Sequence, residues 1–156
     1  MPAETRVRDV MTAKVATLRA EQPIAEAADA LAAGRYGAMP VVDDTNTLVG
    51  LLTDEDLIVS DARVHVPTYI NFLSATIPLP RSLHHLEDDL HKVAGATVGE
   101  VMDVDPVTTS PDATLEDVAT VMHDKQVTHL PVLDDDGKVV GIIARGDLVR
   151  DIARTT

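Results

Sequence analysis

Two aspartates stand at repeated, well-defined positions. Asp56 closes the stretch 50–57, GLLTDEDL, and Asp147 closes the stretch 141–148, GIIARGDL. Each follows a glycine and a short apolar run, where a strand should give way to a helix. A carboxylate at a helix start is favoured by the helix dipole, so capping alone is a sufficient role for either one. It can also accept a pair of hydroxyls in a charge-assisted bidentate arrangement. Other chemistry is thin. Gly141 and Gly146 have the glycine spacing of a phosphate-binding loop, but Asp147 stands where that loop needs lysine. No H-E-x-x-H, G-x-S-x-G or paired-carboxylate pattern occurs. His84, Asp88 and His91 share one face of an expected helix and form a candidate metal site, set against a plain solvated face. Asp134 to Asp136 lack the alternating ligand spacing of a calcium loop and read as a solvated turn. No catalytic residues and no metal are expected.

The elements that must hold these aspartates come from an internal repeat. A shift of 91 residues aligns the chain with itself without a gap. Val7, Val10 and Met11 fall on Val98, Val101 and Met102; Pro40 and Val41 fall on Pro131 and Val132; Gly50, Asp56 and Leu57 fall on Gly141, Asp147 and Leu148. There are 13 identities over 7–58, too many for two unrelated units to share by coincidence.

Each copy reads as strand, helix, strand, strand, helix. Short β-prone runs lie at 15–18 and 106–109. Helices are predicted over 23–35 and 114–126, the second from Leu115, Val118, Ala119 and Met122 on one apolar face, with Asp112 as its expected N-cap. MPVV at 39–42 and LVGLL at 48–52 flank an acidic turn, as do LPVL at 130–133 and VVGII at 139–143. That is the pattern of a hairpin. Final helices should begin near Asp54 and Arg145. Between the copies, Leu83, Leu86, Leu90 and Val93 predict an amphipathic helix over 81–94, preceded by a proline-interrupted stretch holding Tyr69 and Phe72. The expected organisation is a first domain over 7–59, an insertion over 60–97 and a second domain over 98–153.

Composition narrows the class. The chain of 156 residues is 45% hydrophobic but only 2% aromatic, so its core must be aliphatic. It has no cysteine, which excludes disulfides and thiolate chemistry. A net charge of −13 argues against binding nucleic-acid phosphates or an anionic membrane. The longest uncharged run, 66–80, contains three prolines and is too short to cross a bilayer. The first residues form no apolar signal-peptide core. A cytoplasmic location is the expectation.

The Val-Met pairs at 10–11 and 101–102, the apolar-Pro-Val-apolar-Asp strands and the Gly-to-Asp-Leu segments, in this order and twice over, resemble the cystathionine β-synthase (CBS) domain. A tandem pair is the Bateman module, and the resemblance is to stand-alone pairs of bacterial or archaeal type. It implies an α/β fold of two β-α-β-β-α repeats related by a pseudo-two-fold axis, with a helical insertion between them. It further implies a regulatory module that is not an enzyme and requires no cofactor. Its regulatory ligand would be an adenine nucleotide, with AMP, ADP or ATP foremost. The alternative is a ligand-free scaffold for dimerisation or partner binding.

The resemblance implies two clefts between the copies, with the aspartates on ribose hydroxyls. In the first, Thr53 and Asp56 face Val107, Val127, Thr128 and His129. In the second, Asp147 faces Ala16, Tyr36, Gly37 and Ala38. Thr53 and free N–H groups at the helix start would meet a phosphate. Ala144 lacks the hydroxyl of Thr53, with Arg145 as a partial substitute and His129 as a positive charge for the first cleft. The first cleft is therefore expected to be the tighter. A homodimer is expected, with the insertion packed against its own module or a second subunit.

Overall fold

The computed structural model describes residues 5–60 and 96–156. The predicted helix 81–94, with the His84, Asp88 and His91 cluster, lies outside the described residues. In chain order come helix α1 (Val7–Val10), strand β1 (Thr12–Ala13), helix α2 (Ile24–Gly34), strands β2 (Ala38–Val42) and β3 (Leu48–Thr53), and helix α3 (54–60). Then follow helices α4 (Val98–Val101) and α5 (Leu115–Lys125), strands β4 (His129–Leu133) and β5 (Val139–Ala144), and helix α6 (Arg145–Thr155).

Both hairpins form as their sequences predict. β2 pairs antiparallel with β3, and β4 with β5, each with a bulge near its turn. The turns use Asn46 and Gly137, equivalent positions in the repeat, at φ 64° and 78°. Asparagine and glycine are the residues that tolerate this left-handed region. Asp43 and Asp134 close the turns by accepting backbone N–H groups two and four residues on, at 2.9–3.0 Å. These carboxylates thus serve the backbone, as expected of turn residues.

Helices α2 and α5 end alike. Arg35 and Gln126 take the left-handed conformation, and the next N–H returns to Leu31 and Met122. The N-cap of α5 is Thr114 rather than Asp112. The Thr114 hydroxyl accepts from Asp117 N at 3.1 Å, and the Asp117 carboxylate accepts from Thr114 N at 3.3 Å. Asp112 lies two residues further out, ion-paired with Arg8. A reciprocal cap satisfies two helix-end donors, which one outlying carboxylate cannot do.

The segments 15–18 and 106–109 are extended, but each makes only one bridge. Leu18 pairs parallel with Val41, and Thr109 with Val132. Proline explains the limit. The carbonyls of Pro40 and Pro131 accept from Leu18 and Thr109 at 2.9 and 3.0 Å, but a proline has no N–H to carry the ladder onward.

The repeats exchange their leading segments. Val7 of α1 packs with Leu115, Val118, Leu130 and Ile143 of the second copy, while Val98 of α4 packs with Leu18, Leu31, Val41 and Leu52 of the first. β1, which the sequence pattern did not mark, crosses to pair with β5 at Thr12–Ile142 and Ala13–Gly141. Its repeat-equivalent, Asp103, bridges Leu51 of β3. Glycine permits both crossings. A Cβ on Gly141 would lie 2.7 Å from Met11 Sδ and 2.8 Å from the Thr12 carbonyl oxygen, and one on Gly50 would lie 2.8 Å from the Asp103 carbonyl oxygen. Thr47 bridges Lys138, its own repeat-equivalent, so the pseudo-two-fold axis passes between them. Ala38, Leu51 and Ile142 form a third buried cluster that draws on both copies.

Candidate functional site

A cleft of about 210 Å³ opens between the copies, and it gathers Thr53, Asp56, Val107, Val127, Thr128 and His129. These are the six residues expected of the first cleft. Thr53 ends β3 and Asp56 lies in the first turn of α3. Val107 comes from the extended run before α5, and Val127 to His129 lead into β4. The contributions of the two copies meet because β3 and the α4 segment are joined through Leu51 and Asp103.

Sequence reasoning missed Leu51, Glu55, Asp103, Pro106 and Gln126, which also line this cleft. Glu55 carried a signal, being a neighbour of Asp56 at a helix start. Asp103 carried none until the crossing of the copies was known.

Capping consumes much of the hydrogen-bonding capacity expected to be free. Asp56 Oδ2 accepts from Thr53 N, and Thr53 Oγ1 accepts from Asp56 N, both at 3.1 Å. Asp54 N donates to the Gly37 carbonyl oxygen at 3.0 Å, and Glu55 N to Asp54 Oδ1 at 2.8 Å. The first-turn N–H groups of α3 are therefore taken, contrary to the expected phosphate cradle. The Thr53 hydroxyl is itself the cap acceptor, so its presence does not by itself separate a ligand site from a scaffold.

Burial works against the positive charge expected of His129. Burial lowers its pKa below the usual imidazole value. Asp54 and Asp147 oppose that shift and Arg145 adds to it. Its Nδ1 lies 2.9 Å from Thr128 Oγ1, and its ring lies against the backbone at Gly37, where a Cβ would come within 2.7 Å of Nε2.

The residues expected of the second cleft hold several places in the fold. Asp147 is buried, with Oδ2 accepting from Ala144 N at 2.8 Å and Oδ1 paired with the Arg150 guanidinium. Ala38 belongs to the central apolar cluster and Ala16 packs on the first copy's core. Tyr36 and Gly37 line an outer groove of about 510 Å³ with Ala28, Leu31, Asp54 and Leu57. Arg145 lines the matching outer groove of the second copy, about 490 Å³, with Met122, Thr128, Leu148 and Val149.

Among the described residues no cluster of His, Asp and Glu could hold a metal, and no helix is long and apolar enough to cross a membrane.

Two α/β units related by a pseudo-two-fold axis, with a cleft between them, define a paired-repeat module. The sequence model of the CBS domain matches residues 7–62 and 98–154, and the chain belongs to that family. It is 34% identical over 142 residues to the CBS domain-containing protein YhcV of Bacillus subtilis, covering 91% of this chain and 81% of that protein. It is 30% identical over 149 residues to the chloroplastic CBSX2 of Arabidopsis thaliana, covering 92% of this chain but only 62% of that protein. The crystal structure of CBSX2 in complex with AMP superposes with a TM-score of 0.75 at 27% identity, over 97% of this chain and 98% of that one. CBS pairs are regulatory modules, and short matches to homoserine O-acetyltransferases cover only 36% of this chain.

Proposed function

We propose that the chain is a regulatory module, not an enzyme, which binds an adenosine-containing ligand in the cleft at Asp56. One observation carries this reading: six residues drawn from both copies line a single cleft with Asp56 at its edge. The cap uses Asp56 Oδ2, which leaves Oδ1 for a ribose hydroxyl. Val107 and Val127 supply apolar walls for a base. The AMP complex of CBSX2, a relative of the same fold, supports adenosine as the common part of the ligand. A ligand held across both copies couples occupancy to their relative position, which is the physical basis for a sensor.

Thermal unfolding against adenosine compounds tests it. A ligand at 100 times its dissociation constant adds about 2.7 kcal/mol. No shift with any of them sinks the reading. The second reading, a ligand-free scaffold, then stands, favoured by the capping bonds of Asp56 and Asp147.

The proposal extends to self-association through the two outer grooves. Ile58, Val149 and Ile152 are 69%, 59% and 43% exposed beside them, a heavy apolar load for a solvated surface. Asp54 and Arg145 occupy equivalent positions in the two grooves. A second copy docked head to tail sets Asp54 against Arg145 twice, whereas head to head sets like charges together. A monomeric mass by light scattering at micromolar concentration overturns the dimer.

A further inference from the structure

One ring breaks the symmetry between the copies. His129 is the repeat-equivalent of Ala38, which lies in the apolar cluster that both copies share. The imidazole reaches across to the first copy. Its Nε2 and Cε1 lie 2.7 and 2.9 Å from where a Cβ on Gly37 would stand, so a methyl there would displace the ring. On its own side, Nδ1 lies 2.9 Å from Thr128 Oγ1.

The two residues that the ring touches hold both helix starts. The Gly37 carbonyl oxygen accepts from Asp54 N at 3.0 Å, in the first turn of α3. The Thr128 carbonyl oxygen accepts from Arg145 N at 2.9 Å, in the first turn of α6. Thr128 and His129 also line the Asp56 cleft. A shift of this ring is therefore felt at α3, at α6 and in the cleft wall.

The ring is titratable, and charged groups face it from each side. Asp54 of α3 and Asp147 of α6 favour its charged form, and Arg145 of α6 opposes it. Glu55, Asp56 and Asp103 line the same cleft and add negative potential. Burial is the largest influence and favours the neutral ring. A neutral imidazole has one N–H and one acceptor nitrogen, whereas the charged ring has two N–H groups. Nδ1–H can be given to Thr128 Oγ1, but Nε2–H would face the Gly37 main chain. Asp147 is buried and already accepts from Ala144 N and Arg150. Asp54 is exposed, so a charged ring turns toward Asp54.

We propose that His129 is a proton switch between the copies: on taking up a proton the ring leaves Gly37 for Asp54, and the wall of the Asp56 cleft moves with it. The neutral ring holds the arrangement described above. The switch works as the pH falls below about 6.5, the ordinary imidazole value.

The experiment is nuclear magnetic resonance of the full chain, titrated from about pH 8 to 5 across the imidazole range. The chain has six histidines, and His129→Gln identifies the His129 ring signals by their loss. The expected midpoint of the ring lies below about 6.5, and the amide signals of Gly37, Asp54 and Arg145 move with that same midpoint. In His129→Gln those amides stay still over this range, since carboxylates titrate near 4. Gly37→Ala sets a methyl where the ring sits and drives it toward solvent, so the midpoint rises toward about 6.5. Amides that do not move with the ring, or that move equally in His129→Gln, overturn the inference. An unchanged midpoint in Gly37→Ala also overturns it. Should a variant not fold, the titration of the parent chain decides, with the ring assigned by its nuclear Overhauser contact to Gly37. None of these results needs a ligand, so they stand or fall apart from the adenosine reading.

Discussion

Gly141→Ala puts the exchange of segments between the copies to a direct test. The added methyl would sit 2.7 Å from Met11 Sδ and 2.8 Å from the Thr12 carbonyl oxygen. A methionine side chain can swing aside, but the Thr12 carbonyl belongs to β1, which is fixed to β5 through Thr12–Ile142 and Ala13–Gly141. Ordinary carbon–oxygen contacts are about 3.3–3.6 Å, so β1 must retreat by roughly 0.5 Å or more. Overpacking of this kind costs about 1–3 kcal/mol. At roughly 2–4 °C per kcal/mol for a chain of this size, the melting temperature falls by about 2–12 °C. Urea titration followed by circular dichroism should show a lower midpoint with an unchanged slope. Gly146→Ala is the control. It lies in the first turn of α6, and an added Cβ there meets only Arg150 Nη1, at 3.5 Å. Replacing a helical glycine should stabilise by up to about 1 kcal/mol. The two glycines thus carry opposite signs. A Gly141→Ala effect no larger than the ~0.5 kcal/mol of ordinary surface substitutions refutes the close crossing of the copies.

Thr114→Ala removes the acceptor for Asp117 N and should cost about 1 kcal/mol in a urea melt, whereas Asp112→Ala, outside the cap, should cost less. His129 has a lowered folded pKa, so its contribution to stability is complete above about pH 6.5 and declines as the pH falls, because the unfolded chain takes up the proton first. His129→Gln should flatten the loss of stability between pH 6.5 and 5 in paired urea melts; an unaltered profile would show that the ring is not desolvated. Asp54→Arg should weaken the head-to-tail dimer and Asp54→Arg with Arg145→Asp should restore it, as read by light scattering over a dilution series. A double variant no more associated than the single one removes that orientation.

The sequence by itself determined the repeat, the two hairpins, helices α2 and α5, and the starts of α3 and α6, because each is written in local periodicity and turn chemistry. The family resemblance carried by the repeated motifs implied one cleft for Thr53, Asp56, Val107, Val127, Thr128 and His129, and the six line one cleft in the fold. Tertiary structure decided the rest. The crossing of β1 to β5 joins residues about 130 apart in sequence, and no local pattern encodes such a pairing. The reduction of 15–18 to one bridge depended on meeting Pro40, whose nitrogen cannot donate. Whether Asp56, Glu55 and Asp54 have free N–H groups is a matter of which acceptors lie within 3 Å or so, and those include Gly37 from a preceding turn. The charge of His129 could not be read from its residue type, because burial sets the cost of protonating an imidazole and burial is a property of the folded chain.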